Sequence, residues 1–244
     1  NILRPLLKPD ARVLEVGGGE MTTVVPLALR LEDLGLLFSA VELSWSRIAM
    51  GREFATESGI TLEYALAGDA LGLPFPNDSF DLVYTSHCLE QIPLGLEQAA
   101  KELLRVSRGW VACMEPSYEL GHPQQRQRMK YKHYATRLDQ VFRSLGYGLE
   151  RHELIPHDLS PDNRSALYLT HTCETDTHAV QDPSPTCPRC IVVLQDLSDV
   201  MFCPKCHNAY PVLEGIPCLC PEHGVLASRL EDIHSLRLRR KEAT

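Results

Sequence analysis

The chain has 244 residues, a formal net charge of −8 and 44% hydrophobic residues. That length accommodates one large α/β domain and a small appendage, with enough apolar side chains to bury a core. The acidic charge disfavours a general nucleic-acid or membrane-surface binder, although it leaves room for a local basic patch. No apolar run approaches the ~20 residues of a membrane span.

Strand-like and helix-like stretches alternate through the first 173 residues. Short apolar runs, most ending in glycines or polar residues, predict strands at 11–18, 36–43, 60–69, 79–87, 110–116, 149–156 and 165–173. Helical spacing of apolar residues predicts helices at 22–35, 44–59, 94–108 and 134–145, with Ser44 as an N-cap and Gly35 and Gly59 as stops. Five strand–helix units and a closing strand pair predict a doubly wound, mostly parallel sheet of seven strands.

Composition then divides the chain into four parts. Residues 1–173 are predicted to form the large domain, and the polar, proline-containing stretch 174–185 a linker. Residues 186–223 hold two CxxC pairs and are predicted to form a small zinc ribbon. Residues 224–244 end in the basic run LRLRRKE and are predicted to be a helical tail.

Polar groups follow three successive predicted strands. Gly17, Gly18 and Gly19 follow the first strand, Glu42 ends the second, and Asp69 ends the third. Consecutive glycines let the backbone approach a ligand closely, and a strand-end carboxylate can accept ribose hydroxyls. Any one of these is also typical of an ordinary exposed turn. Together they predict a nucleotide site at the carboxyl ends of the strands.

The motifs VLEVGGGEMT, VELS and GDALGLPFPNDSFDLVYTSHCLEQIP resemble those of class I S-adenosylmethionine-dependent methyltransferases, and LPFPNDSFDLV is the most specific of them. The resemblance covers about the first 170 residues. It implies the following cofactor contacts: Glu15, Gly17 and Gly19 around the methionine end, Glu42 and Leu43 at the ribose, Asp69 and Ala70 at the adenine, and Ser86 beneath the sulfonium. Met21 departs from the family, where many members carry a third glycine. A dinucleotide dehydrogenase is disfavoured because its glycine motif would place Thr22 at the last glycine.

Catalytic and substrate-binding residues are expected after the fourth and fifth strands. In the family the segment from Ser86 to Ile92 lies beside the reactive methyl group, so His87 and Glu90 are candidates for a base and its orienting partner. His122 is a further catalytic candidate. The basic and aromatic stretch after the fifth strand predicts substrate contacts by Tyr118, Arg126, Lys130 and Tyr134. A solvated helix with a basic face explains that stretch equally well.

The spacing CxxC-x12-CxxC is a strong signature of tetrahedral zinc, with Cys187, Cys190, Cys203 and Cys206 as ligands. Four thiolates leave no open position, which predicts a structural metal. His207 is expected to be a surface neighbour. A second site using Cys218, Cys220 and His223 is disfavoured, because GIPCLC places its cysteines where small core residues suffice. Paired and scattered cysteines in one chain favour a reducing compartment and hence the cytoplasm.

The segment CPRC…CPKCHNAYPVLEGIPCL resembles the small zinc-ribbon activator subunit shared by several tRNA, rRNA and protein methyltransferases. In that family the subunit docks on a class I methyltransferase and covers apolar surface. The resemblance implies an activator that docks in cis on residues 1–173.

The favoured function is methyl transfer from S-adenosylmethionine to an oxygen or nitrogen of a small polar metabolite, such as a sugar, amino acid or natural-product intermediate. An RNA methyltransferase carrying its own activator is the alternative, favoured by the zinc-ribbon resemblance. A non-catalytic cofactor-binding module is a third hypothesis, which only Met21 supports. The motif after the fourth strand differs from the Asn/Asp-Pro-Pro-Tyr type used on nucleobase and amide nitrogens, so DNA is not expected as a partner.

Overall fold

A computed structural model describes residues 2–156, 163–172, 182–230 and 232–233. Cys173, most of the predicted linker and the basic run of the predicted tail lie outside the described residues. No helix among the described residues is both long and apolar enough to cross a membrane.

The large domain is built on one seven-stranded sheet, as the alternation of strands and helices predicts. Its strands are β1 (Arg12–Val16), β2 (Leu37–Glu42), β3 (Tyr64–Ala67), β4 (Phe80–Ser86), β5 (Ser107–Pro116), β6 (Arg151–Leu154) and β7 (Ser165–His171). Their spatial order is β3-β2-β1-β4-β5-β7-β6, and only β7 runs antiparallel to its neighbours. The connections switch direction between β1 and β4. In such sheets ligands bind at the carboxyl ends of the strands beside this switch point.

Within the described part of the large domain, five α-helices accompany the sheet: α1 (Val24–Arg30), α2 (Trp45–Glu57), α3 (Leu96–Val106), α4 (Pro123–Tyr131) and α5 (Leu138–Ser144). α4 lies in the stretch where a basic-faced helix was the alternative interpretation, and two of the four predicted helices have other bounds. The first ends at Arg30 and is followed by a separate short 3-10 turn that closes at Gly35, whose φ is 62°. The last begins at Leu138 instead of residue 134, because Arg137 adopts a left-handed conformation with φ of 62°.

The described residues 182–230 form a small domain with its own antiparallel sheet. Its strands are β8 (Gln195–Asp196), β9 (Val200–Phe202), β10 (Asn208–Leu213), β11 (Ile216–Pro217) and β12 (Val225–Leu226). Each has at most six residues. Such short strands enclose little apolar volume of their own, so the small domain needs support from its neighbour or from a metal.

The small domain packs against β3, the edge strand of the large sheet. The Leu219 amide donates a 2.6 Å hydrogen bond to the carbonyl of Ala67, and Cys218 forms a parallel bridge with Ala67. Tyr210 and Leu219 share one apolar cluster with Leu66 of the large domain. An edge strand exposes unpaired backbone groups, and this contact covers them. The two domains therefore share a continuous core.

Candidate functional site

A cavity of about 240 Å³ opens at the carboxyl ends of the strands beside the switch point. Six residues singled out from the sequence line it: Gly17, Glu42, Leu43, Asp69, Ala70 and His87. Cys88, Gln91 and Ile92 also line it, and they belong to the segment predicted to lie beside the methyl group. Arg47 lines it without having been predicted. A larger groove of about 710 Å³ lies between α2, β3 and the small domain, but none of the predicted cofactor-binding residues line it.

The turn after β1 brings its backbone against the cavity. Gly17 has φ of 77°, and a β-carbon there would lie 2.4 Å from Cys88 Sγ. Gly19 has φ of 53°, and its amide donates to Glu42 Oε2 at 3.0 Å. Only glycine satisfies both the close approach and the left-handed conformation at these positions. The glycines therefore fix the distance between the first and second strand ends.

Met21 keeps the backbone form that a glycine would favour. Its φ is 59°, and its side chain is fully buried. A β-carbon on Gly51 of α2 would lie 2.6 Å from Met21 Cγ, so the absence of a side chain at Gly51 makes room for the methionine. The Met21 side chain, which departs from the family pattern, thus fits into the space beside Gly51, and the turn keeps its backbone conformation.

Glu42 is held rigidly at the end of β2. Its Oε2 accepts from the Gly19 amide, and its Oε1 accepts from the Ser44 amide at 3.0 Å. The side chain is buried to 7% exposure at the cavity wall. A carboxylate fixed by two backbone donors retains lone pairs for further hydroxyl donors, as a ribose requires.

Arg47 is a cavity residue that sequence reasoning missed. Its guanidinium forms two 2.8 Å hydrogen bonds with the Glu20 carboxylate and lies over Gly19, where a β-carbon would meet it at 2.5 Å. This pairing lowers the pKa of Glu20 to about 2. The position of Arg47, one turn into the helix that follows Glu42, is the only sequence signal that could have indicated it.

Four residues predicted at the cofactor or the methyl group do not line the cavity: Glu15, Gly19, Ser86 and Glu90. Glu15 is buried beneath the glycine turn, with its Oε2 3.6 Å from the position that a β-carbon on Gly18 would take. Burial raises the pKa of Glu15 to about 8, because removal from water penalises the charged form. Glu15 is therefore a proton-carrying group behind the turn.

His87 follows β4 and stands between two polar partners. Its Nδ1 is 3.4 Å from Glu90 Oε1, and its Nε2 is 2.9 Å from Ser165 Oγ at the start of β7. His87 itself has φ of 54°, which turns its side chain toward the cavity. The sequence selects both His87 and Glu90 as catalytic candidates, and the structure places them side by side. Ser165 has no signal in the sequence, since it comes from a strand 78 residues away.

Glu115 holds the loop that carries His87. Its carboxylate accepts from the Thr85 hydroxyl at 2.7 Å and from the amides of Cys88, Leu89 and Glu90 at 3.1–3.2 Å. Burial raises the pKa of Glu115, and these hydrogen bonds oppose the rise. Glu115 ends β5, so the strand-end reasoning that selected Glu42 and Asp69 could also have selected it.

The remaining predicted residues lie on the connection after β5, and none is among the residues lining the cavity. His122 Nδ1 accepts from the Gln125 amide at 3.3 Å and thereby caps α4. The cationic groups of Arg126 and Lys130 lie 5.7 and 5.6 Å from the ring centre of Tyr118. Tyr134 is half-buried just beyond α4. These residues form a separate basic and aromatic surface.

The four predicted cysteine ligands converge in the small domain. The sulfurs of Cys187, Cys190, Cys203 and Cys206 all lie within 4.8 Å of one another, and Cys187 and Cys206 are 3.7 Å apart. Zinc–sulfur bonds of about 2.3 Å at tetrahedral angles give sulfur–sulfur distances of about 3.8 Å. The donor set therefore fits zinc.

A polar side chain supports the cluster from outside. Asn208 Nδ2 lies 3.2 Å from Cys206 Sγ and can donate to that sulfur. Such outer contacts orient metal ligands and are characteristic of built sites. His207 is exposed and outside the cluster.

The strand order, the closing antiparallel pair and the cavity at the switch point define the class I methyltransferase fold. Residues 13–109 match the family model of a methyltransferase domain. Residues 13–109 are thus similar to a methyltransferase domain, and the sheet that contains them has the class I methyltransferase fold.

Two related methyltransferases align with part of that domain. The chain is 34% identical over 104 residues to 2-methyl-6-phytyl-1,4-hydroquinone methyltransferase 2, chloroplastic, of Oryza sativa subsp. japonica, which covers 42% of this chain and 28% of the relative. It is 31% identical over 113 residues to demethylmenaquinone methyltransferase of Bacillus velezensis, covering 46% of this chain and 48% of the relative. The alignments thus span less than half the length of either relative.

A solved structure shares the fold at low sequence identity. It is a complex between the Haloferax volcanii Trm112 methyltransferase activator and a methyltransferase. The TM-score is 0.54 at 14% identity, and the match covers 68% of this chain and 84% of that chain.

Proposed function

We propose that this protein transfers a methyl group from S-adenosylmethionine to an oxygen or nitrogen of a small polar metabolite, and that its C-terminal zinc domain stabilises the catalytic domain. The observation that carries the proposal is the cavity at the strand ends. It has Glu42 and Asp69 on its wall and His87 at the loop after β4. The carboxylates that could bind a nucleoside and the histidine that could act as a general base thus line the same cavity.

The residues of this chain divide the work of holding the cofactor. Glu42 is fixed by two backbone amides and is suited to the ribose hydroxyls. Asp69 accepts from the Leu71 amide at 2.9 Å, which sets its carboxylate beside Ala70 at the adenine end. Gly17 and Gly19 leave room for the methionine end. When bound, the cofactor supplies an already activated methyl group, so the protein has to position the acceptor and manage one proton.

His87 is the proposed base. Glu90 lies beside Nδ1 and would hold the proton on that nitrogen, which leaves Nε2 as the basic atom. Nε2 lies 2.9 Å from the Ser165 hydroxyl. An acceptor hydroxyl would either replace Ser165 as the hydrogen-bond partner of Nε2 or pass its proton to Nε2 through the Ser165 hydroxyl. An amine acceptor would need only to arrive uncharged. General base catalysis of this type contributes about 10²–10⁴-fold to a hydroxyl acceptor.

The names of the relatives support a small-molecule acceptor. A hydroquinone methyltransferase acts on a compound with ring hydroxyls, the type of group that His87 could deprotonate. Ring hydroxyl compounds therefore belong among the acceptors to be tested first, beside sugars and amino acids. The basic and aromatic surface around Tyr118 is the feature that keeps RNA as the alternative acceptor.

The zinc domain is proposed to act as a built-in activator. Its backbone pairs with β3 through Leu219 and Ala67, and Tyr210 lies in the shared core while its hydroxyl is 3.4 Å from Cys187 Sγ. Loss of the metal would therefore weaken the packing of the small domain against β3, the edge strand of the large sheet. The solved complex of an activator with a methyltransferase of the same fold supports this arrangement. Covalent attachment raises the effective concentration of the activator.

The test uses S-adenosylmethionine labelled on its methyl group. The full chain is incubated with a cell extract divided into small-molecule and RNA fractions. Label in the small-molecule fraction is the expected result. Label in RNA would overturn the acceptor class, and label in neither would favour the non-catalytic module.

Cofactor binding is tested separately with Asp69→Ala, measured by calorimetry. We expect a loss of affinity of at least about 100-fold, equivalent to about 3 kcal/mol. Asp78→Asn is the matched control, because Asp78 lies in the same connection but not among the cavity residues. Unchanged affinity in Asp69→Ala would remove the site assignment.

A further inference from the structure

A second group of metal-ligating side chains lies at the turn that follows β11. Cys220 precedes a 3-10 turn formed by Pro221–His223. One ligand atom from each of Cys220, Glu222 and His223 lies within 4.8 Å of the others. This group differs from the combination disfavoured on sequence grounds, because Cys218 is not part of it and Glu222 is.

Two of the three groups present an atom that is shielded from water, while Glu222 is exposed. Cys220 is fully buried. His223 Nδ1 is also shielded from water, and it has no hydrogen-bond partner among the described residues. A buried imidazole nitrogen without a partner is costly, and native structures retain such groups for a reason such as an ion. A metal beside the Cys220 sulfur would satisfy it.

Cys218 behaves in the way expected of a core residue. It is buried, and its sulfur faces the Ile216 carbonyl at 3.7 Å. The sequence argument that small residues suffice in GIPCLC therefore fits Cys218. The same argument does not fit Cys220, because its sulfur lies within 4.8 Å of ligand atoms of both Glu222 and His223.

The turn is fixed from two sides. The Arg189 guanidinium donates to the Pro221 carbonyl at 2.8 Å, which ties the turn to the first cysteine knuckle. On the other side, the Leu219 amide bonds to Ala67 at the end of β3. No ion pair involves Glu222 among the described residues, and Arg189 is bonded to the backbone. The Glu222 carboxylate thus remains available to a cation.

We propose that Cys220, Glu222 and His223 form a second zinc site at the junction of the two domains, separate from the four-cysteine cluster. One sulfur, one nitrogen and one oxygen donor are a set that zinc accepts, whereas magnesium and calcium prefer oxygen alone. Three protein ligands leave a fourth position for water. The ion would fix the turn that follows Leu219, whose amide bonds to Ala67 at the end of β3. This inference does not rest on methyl transfer.

The test is the zinc content of the full chain, purified without an affinity tag and dialysed against metal-free buffer. Elemental analysis of the wild type should give about two zinc ions per chain, one for each ligand set. His223→Asn and Glu222→Gln should each lower this to about one ion. His207→Asn is the matched control, because His207 is an exposed histidine of the same domain outside both clusters. It should retain both ions.

Cobalt substitution identifies which ion is lost. A site with four thiolates gives far stronger sulfur-to-cobalt absorption than a site with one, and that strong absorption should persist in His223→Asn. A wild-type chain with one zinc ion would overturn the proposal, and so would a His223→Asn variant that keeps both. Loss of the strong absorption in His223→Asn would likewise overturn it, since the variant would then act on the four-cysteine cluster.

Discussion

The two ends of the chain build their sites in different ways. The cofactor cavity gathers residues from Val16 to Ile92, which meet because parallel strands end at one edge of a sheet. The four-cysteine cluster draws on twenty consecutive residues joined by strands of two and three residues. In the first case a large core holds the site. In the second, the strands are too short to supply much core of their own, so we expect a bound metal to stabilise the fold.

The largest effect should therefore come from the cysteine cluster. Cys203→Ser removes a buried ligand, and we expect the chain to lose its zinc together with several kcal/mol of stability, since structural zinc contributes about 10–16 kcal/mol in small domains. Thermal unfolding and zinc content would be measured on the same samples. A chelator added to the wild type should produce the same unfolding, followed by aggregation through the uncovered β3 edge.

The control for that variant is Cys218→Ala, which changes a buried cysteine of the same domain that belongs to neither cluster. It should keep its zinc and lose about 1 kcal/mol. If Cys203→Ser and Cys218→Ala unfolded at the same temperature, the contrast between a metal-held and a core-held domain would be wrong.

An intermediate effect is expected at Glu15, behind the glycine turn. Its pKa is about 8 in the folded chain and near 4.5 when unfolded, so the folded chain keeps a proton that the unfolded chain releases. The stability contributed by Glu15 is complete below about pH 4.5 and is lost as pH rises toward 8. The rate of loss is at most about 1.4 kcal/mol per pH unit.

Glu15→Gln removes this titration while keeping the shape of the side chain. The difference in unfolding free energy between variant and wild type should increase by about 1 kcal/mol per pH unit between pH 5.5 and 7.5, measured by urea unfolding. Glu32→Gln changes an exposed site after α1, and its unfolding free energy should vary with pH in parallel with that of the wild type. Parallel curves for Glu15→Gln as well would show that Glu15 is not buried as a protonated acid.

The smallest effect is expected where side chains meet across the domain boundary. Arg52 of α2 donates to the Glu214 carbonyl at 2.5 Å, but the contact is solvent-exposed, and the backbone pairing at Ala67 carries the junction. We expect Arg52→Ala to cost about 1 kcal/mol in thermal unfolding. Arg30→Ala, at the exposed end of α1, should cost less. A loss of several kcal/mol in Arg52→Ala would mean that side chains hold the domains together.

Local patterns account for much of what the sequence predicts correctly. The strands of the large sheet follow from short apolar runs. The placement of Gly17, Glu42 and Asp69 around one cavity follows from the rule that parallel strands end at one edge. A prediction is wrong where the backbone conformation of one residue sets the end of an element. The last helix begins at Leu138 because of the left-handed Arg137, a feature that apolar periodicity does not register.

What the sequence by itself determined is the fold of the large domain, the strand-end position of its site and the identity of the four clustered cysteines. Each depends on spacing within a few residues or on a rule about neighbouring strands. Only the tertiary structure decided that Ser165 faces His87, that Gly51 makes room for Met21, and that Cys220 joins Glu222 and His223 while Cys218 does not. These contacts depend on the distances and directions of side chains after packing, and spacing along the chain does not encode them.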